Sequence, residues 1–387
     1  MTKSHVMTVL GPVAPDELGL TICHEHLLVD MTQSQTSAAD LLMRSETGSK
    51  STRADAAGWQ FGEGAPGTTA SFLGRWQGEL RLDNYYDFVR NWFFRGEFRL
   101  TSIEDCIYEV ERFKRAGGGC IVDATPVGLS RDPAGLREVS RATGVHIVMG
   151  GGYYEKAWHP PDIDDLSEDE LYRRIKRDIV DGVGDEGIDG GVKSGHIGEV
   201  GMSYPRTDNE DKVLRAVVRA HTETGLAISI HPGKHTMGPI DALNRLQELD
   251  ADIGKVIFCH CDNRPVLPYP QGFAEELWRP LAEAGAYLQF DTFGWEDSTR
   301  QASTTDAPND AGRINMIMEV VEAGFEEQVL ISHDIVMKHW LSKYGGWGIE
   351  HIPRSIVPLM KRKDMPEEVV RKILISNPAN ALAVEAS

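Results

Sequence analysis

The chain has 387 residues, 41% of them hydrophobic, and sets 40 basic against 59 acidic residues for a net charge of −19. That length can bury a large core, and an acidic balance spread along the chain argues against nucleic acid or an anionic membrane as partner. No apolar run is long enough to span a bilayer and the stretch Met1–Val6 lacks a signal-peptide core, so a cytoplasmic protein is expected. The five cysteines, Cys23, Cys106, Cys120, Cys259 and Cys261, lack the paired spacing of a zinc ribbon and read as reduced, mostly buried thiols.

In chain order, the first predicted strand runs into Thr21-Ile-Cys-His-Glu-His-Leu27. Histidines two apart on a strand point to the same side, so His24 and His26 can bind one metal ion. Residues 31–100 then break the pattern. The first half is rich in Ser, Thr, Gly and Ala and reads as a loop, and the second carries the aromatic cluster Tyr85 to Phe94. An insertion after the first strand emerges on the catalytic face of a barrel, so a lid or a subunit contact is expected there. A helix packed on the barrel rim is the plainer alternative.

From Ser102 onward, β-rich runs alternate with amphipathic helices. Ser102 caps a helix whose apolar residues Ile103, Cys106, Ile107, Val110 and Phe113 follow helical spacing as far as Gly117. Strands are predicted at Cys120 to Ala124, Val145 to Met149, Gly191 to Val200, Leu226 to His231, Val256 to His260, Tyr287 to Asp291 and Val329 to Asp334. One helix is expected near Lys212 to Thr224 with Gly225 past its end, and another carries Ile240, Leu243, Leu246 and Leu249 on one face. With the strand ending at His26, this is the pattern of a (β/α)8 TIM barrel, one domain over residues 1–387, with its chemistry at the C-terminal ends of the strands.

Ligand-type residues recur at those ends. His231, His260 and Asp334 close their strands, and Glu199 sits late in Gly195-His-Ile-Gly-Glu-Val200. With His24 and His26 they make four imidazoles and two carboxylates, a donor set that suits zinc or a similar divalent ion and suffices for two ions if Glu199 bridges. Two ions about 3.5–4 Å apart lower the pKa of a bridging water and polarise a C=O or P=O oxygen. Asp334 would bind one ion and take the proton of the attacking water.

At these residues the chain resembles the phosphotriesterase family of the amidohydrolase superfamily, in its phosphotriesterase-related branch. The resemblance rests on Thr8–Val13, Thr21–Leu27, Gly117–Gly119, Ser130–Asp132, Gly144–Ile147, Lys193–Gly201, Ile228–Gly233, Ser332–Asp334, Lys343–Gly346 and Asn377–Pro378. It covers nearly the whole chain except 31–100. It implies a buried metal held by His24, His26 and Asp334, a more exposed one held by His231 and His260, and a bridge at Glu199 where many members use a carboxylated lysine. Lys193, six residues earlier, would sit roughly 20 Å back along a regular strand and is not expected to bridge. The resemblance also implies a homodimer.

Weaker candidates surround this set. Tyr154 matches a position where lactone-hydrolysing relatives place a tyrosine near the metals, with core packing as the plainer reading. Arg264 could hold a substrate anion bidentately, with a surface ion pair as its alternative. His196, of opposite parity to Glu199, is expected to face the surrounding helices, and His221 to be structural. The loop after Asp334, with Lys338-His-Trp340 and Tyr344 to Gly348, is expected to shape the substrate pocket.

The leading expectation is a hydrolase with two divalent ions, zinc foremost, in which a metal-bridging hydroxide attacks the carbonyl of a small ester, lactone or N-acyl amide. The resemblance ranks phosphotriester hydrolysis below C–O or C–N cleavage, since a glutamate bridge sets this chain apart from the lysine-bridged phosphotriesterases. A barrel that binds a small ligand without catalysis is the alternative from another class, and the complete ligand set speaks against it.

Overall fold

Eight parallel strands form the centre of the molecule, three in the order β3-β6-β7 and five in the order β12-β11-β10-β9-β8. They are β3 (Leu20–Glu25), β6 (Gly118–Asp123), β7 (His146–Met149), β8 (Ile197–Gly201), β9 (Ile228–His231), β10 (Val256–Phe258), β11 (Tyr287–Phe290) and β12 (Val329–Ile331). The computed structural model describes residues 4–33, 80–85, 95–184, 191–233, 235–262, 273–296 and 308–385.

Two seams close the sheets into a barrel. At one, the Asp334 N–H donates to the His24 carbonyl at 3.1 Å and the His24 N–H donates to Ser332 Oγ at 2.8 Å. At the other, Gly195 N–H donates to Met149 O at 2.9 Å and Gly198 N–H to Gly151 O at 2.6 Å. The expected (β/α)8 barrel is the fold, and a strand lies in every predicted run, although the one expected from Gly191 to Val200 begins only at Ile197. The regular strands stop one to three residues short of the predicted ends at His26, His260, Asp291 and Asp334, which leaves those side chains on the rim.

Alternation along the strands separates two apolar layers. Cys23, Cys120, Val122, Val148, Ala227, Ile257 and Leu330 form one cluster that fills the barrel floor. Ile22, Ile121, Ile147, Ile228 and Ile230 belong to the other, which packs against the outer helices. Among the described residues all five cysteines are free thiols, four of them buried. A short antiparallel hairpin, β1 (Val6–Thr8) and β2 (Gly11–Val13), lies at the N-terminal end of the barrel.

The helices begin where the sequence supplies caps. Ser102 accepts the Asp105 N–H ahead of helix Ile103–Arg115, and Asp132 accepts the Gly135 N–H ahead of Pro133–Thr143. The helix expected from Lys212 starts earlier, at Asp208, because Thr207 and Glu210 form a capping box that satisfies two free N–H groups. It ends at Gly225 in the left-handed region, as the sequence implies. The helix carrying Leu243 and Leu246 spans Gly238–Glu248.

Within the insertion the described residues are 31–33, 80–85 and 95–100, and its two ends lie side by side. The strand pair β4 (Val29–Asp30) and β5 (Arg99–Leu100) joins them antiparallel, Val29 opposite Leu100 and Asp30 opposite Arg99. Tyr85 sets its ring edge-on to His339 at 6.3 Å. The rest of the aromatic cluster, and with it the lid, contact or helix expected there, lies outside the described residues. No described helix is long and apolar enough to cross a membrane.

Candidate metal centre

Six side chains from five strand ends meet over the C-terminal mouth of the barrel, and all are buried. Glu199 lies at their middle. Its Oε2 is 3.3 Å from His24 Nε2 and 3.7 Å from His26 Nε2, while Oε1 is 2.5 Å from His231 Nδ1 and 3.1 Å from His260 Nε2. Asp334 Oδ1 faces the first pair, 3.7 Å from His24 Nε2 and 3.4 Å from His26 Nε2. The two oxygens of one carboxylate are thus divided between two histidine pairs.

Local backbone geometry puts the donors there. Between Ile197 and Val200, β8 carries one residue more than β9 opposite, and the register shift turns Glu199 into the barrel. Gly198 sits there at φ +148, and a Cβ at that position would collide with Ser229 Oγ and the Ser229 backbone. His260 and Asp334 both adopt left-handed backbone, φ 57 and φ 54, immediately beyond their strands. Such strain at the end of a strand is characteristic of functional positions.

The same bulge corrects the expectation for His196. Parity counting from Glu199 points it at the helices, but counting fails across an extra residue. His196 is buried against Gly150, where a Cβ would lie 3.0 Å from its Cε1. Burial and the neighbouring His24 push its pKa down to about 3, which keeps it neutral. It belongs to none of the candidate donor clusters among the described residues. His221 is structural as expected, with Nδ1 2.7 Å from Leu226 O and Nε2 accepting the Asp252 N–H at 3.2 Å.

A second ring of groups, not singled out in the sequence, orients the imidazoles. His26 Nδ1 meets Thr125 Oγ1 at 2.9 Å, leaving Nε2 for the centre. His260 Nδ1 meets Asp291 Oδ1 at 2.8 Å, and Asp291 also accepts the His260 N–H. Such partners fix the tautomer and direction of a metal-binding imidazole. Asp291 is held by a deeper pair, since Asp262 accepts the Asp291 N–H at 3.2 Å and bonds Arg313, whose side chain is fully buried. Asp291 stands at a strand end as the six central residues do, and that position was the one available signal.

These residues fit divalent cations. Among the described residues neither buried ring nitrogen of His24 has a hydrogen-bond partner, and donor atoms of His24–His26–Glu199 and of Glu199–His231–His260 lie within 4.8 Å of one another. Electrostatics agree. Burial favours the neutral Glu199 carboxyl, yet His231 and His24 beside it hold its pKa well below the usual range. Burial likewise favours neutral His24, but Cys259, Glu199 and Asp291 push its pKa well up. Carboxylate and imidazole thus stabilise one another's charged forms, and a bound cation would take the place of the imidazole protons beside Glu199.

Tyr154 is buried beside the second pair, its Oη 3.2 Å from His231 Nδ1 and its ring edge-on to Trp158 at 5.4 Å. Burial, reinforced by Glu199, raises its pKa well above the usual phenol value, so it remains an O–H donor. Lys193 precedes the strand Ile197–Gly201 rather than lying on it, so the regular-strand spacing does not apply; it lines a recess with Met7 to Pro12 of the hairpin and belongs to none of the candidate donor clusters among the described residues. Arg264 lies outside the described residues. The loop after Asp334 does wall a cavity of about 230 Å³ that reaches His26, contributing Ile335, Lys338, Leu341, Tyr344 and Ile349.

A (β/α)8 barrel with histidines and carboxylates gathered at the strand ends defines the chain as a metal-dependent hydrolase. It belongs to the phosphotriesterase family, whose profile matches residues 4–382. The chain is 32% identical over 377 residues to an N-acetyltaurine hydrolase of Danio rerio, covering 97% of both proteins. It is 33% identical over 386 residues to a phosphotriesterase-related protein of Nematostella vectensis, covering 98% of both. Among solved structures, a resiniferatoxin-binding protein from Rhodobacter sphaeroides superposes with a TM-score of 0.80 at 27% identity, over 98% of this chain and 94% of that one.

Proposed function

We propose that this protein hydrolyses the acyl C–N bond of a small N-acyl amide at a centre of two divalent cations, with zinc the ion its donors suit best. The observation that carries the two-cation reading is the division of the Glu199 oxygens between the pair His24–His26 and the pair His231–His260. His24, His26 and Asp334 would hold one ion, His231 and His260 the other, and Glu199 both. When bound, the ions lower the pKa of water and polarise the acyl oxygen.

The remaining work falls to protein groups. Asp334 accepts the proton of the attacking water and passes it to the departing amine nitrogen, so the products are a carboxylic acid and an amine. The Tyr154 O–H, kept protonated by burial, donates to the acyl oxygen as negative charge develops there. Thr125 and Asp291 hold His26 and His260 in register throughout.

The amide is favoured over the lactone or ester because relatives matched along almost their whole length are named N-acetyltaurine hydrolases. The test is kcat/KM of the zinc-reconstituted protein on N-acetyltaurine, N-acetyl-β-alanine, an aliphatic lactone and a phosphotriester. A preference for the N-acyl substrates is expected. A preference for the lactone would make this a lactonase and leave the metal reading intact. Stoichiometric metal with no turnover of any substrate would favour a binding barrel.

A further inference from the structure

The cavity that shares His26 as a wall contains several charged groups, and nearly all of them are already matched. Arg99 pairs with Asp30 at 3.1 Å. Asp105 bonds Lys343 and accepts the Tyr344 O–H at 2.6 Å. Glu25 accepts from Ser332 Oγ at 2.8 Å and lies 2.6 Å from His333 Nδ1. Glu109 accepts the Lys343 N–H at 2.9 Å, and burial raises its pKa, which weakens its claim on a counter-ion.

Lys338 is different. It lines the same cavity and is half-buried, yet its ammonium makes no ion pair or hydrogen bond among the described residues. Its position is fixed by its neighbours. The turn Lys338–Trp340 is pinned where the His339 N–H donates to Glu97 Oε2 at 3.1 Å and His339 Nδ1 lies 2.6 Å from the same oxygen. It lies four positions beyond Asp334 on the same loop, so it belongs to the rim. A half-buried ammonium has given up part of its hydration, and an anion entering the cavity would restore what it lacks.

We infer that Lys338 is the anion clamp of the substrate site, taking the carboxylate or sulfonate on the amine portion of an N-acyl amino acid or N-acyl aminosulfonic acid. This rests on the amidase reading above and adds to it the class of leaving group. The acyl carbonyl lies at the metal centre beside His26, and a short spacer carries the acid group along the cavity to the ammonium. About 230 Å³ suits such a small molecule.

The experiment compares wild type, Lys338→Met and Lys338→Arg, all zinc-loaded, on N-acetyltaurine and on N-ethylacetamide, its neutral analogue. For Lys338→Met the KM for N-acetyltaurine should rise roughly ten- to a hundredfold, the size of one hydrogen bond between charged groups, with kcat nearly constant. Turnover of N-ethylacetamide should not change, and Lys338→Arg should recover most of the loss. Equal effects on both substrates, or none on either, would overturn the clamp while leaving the amidase intact. Calorimetric titration of ethanesulfonate into the same proteins separates the two ideas. If wild type cleaves neither substrate the amidase reading fails, and the clamp then stands on at least tenfold weaker ethanesulfonate binding by Lys338→Met and falls on equal binding.

Discussion

The two ends of the barrel are built from the same eight strands and obey different rules. At the floor, Cys23, Val122, Val148, Ile257 and Leu330 interleave as apolar fill. At the rim the strands carry a register shift, two residues in left-handed backbone and six buried histidines and carboxylates drawn toward one another. The floor is a packing problem with many solutions. The rim is a positioning problem in which each donor depends on a partner behind it. Stability and chemistry are therefore placed at opposite ends of each strand, and substitutions should separate them.

The largest effect is expected at the rim. Asp334→Asn keeps the shape and loses the proton acceptor, so kcat/KM should fall about 10²–10⁴-fold. Pre-steady-state and steady-state turnover at matched metal content would check it, and a fall of less than tenfold would remove Asp334 from proton transfer. Glu199→Gln should lower bound metal, measured by plasma emission after gel filtration, while Lys193→Gln, in a separate recess, leaves it unchanged. The reverse outcome would transfer the bridge to the lysine.

The floor should answer in the opposite currency. Leu330→Ala removes a fully buried side chain and should cost roughly 2–5 kcal/mol of stability in urea unfolding, with metal content and KM preserved. If it instead emptied the metal centre, the two ends would be coupled and the separation would fail. The smallest effect is expected outside the barrel. Thr207→Ala removes the capping hydroxyl that accepts the Glu210 N–H and should cost about 1 kcal/mol, visible as a small drop in Tm at constant kcat.

Much of this division is legible in the sequence because ligand types stand out against apolar strands. His24, His26, His231, His260 and Asp334 each close a β-rich run, and the alternation of strands and helices yields the barrel directly. What is hidden follows from departures from regular geometry. Counting parity back from Glu199 misplaces His196, because the extra residue at Gly198–Glu199 cannot be seen in a string of letters. Thr125 and Asp291 carry no motif, since orienting an imidazole requires only proximity across strands. The early start of the helix at Asp208 was readable from Thr207 and Glu210, and was masked by an apolar pattern that begins later.

The strand pair Val29–Asp30 with Arg99–Leu100 has a consequence for how such a protein can change over time. The chain leaves the barrel and returns to it at adjacent points, so the excursion between them is grafted onto a closed stem. The entropy of closing a loop rises only with the logarithm of its length, and here the closure is already made by the stem. A lineage could lengthen, shorten or exchange that segment beside the catalytic mouth and leave the eight strands undisturbed. Substrate range would then be heritable as a replaceable part, and the metal ligands would be the part that stays.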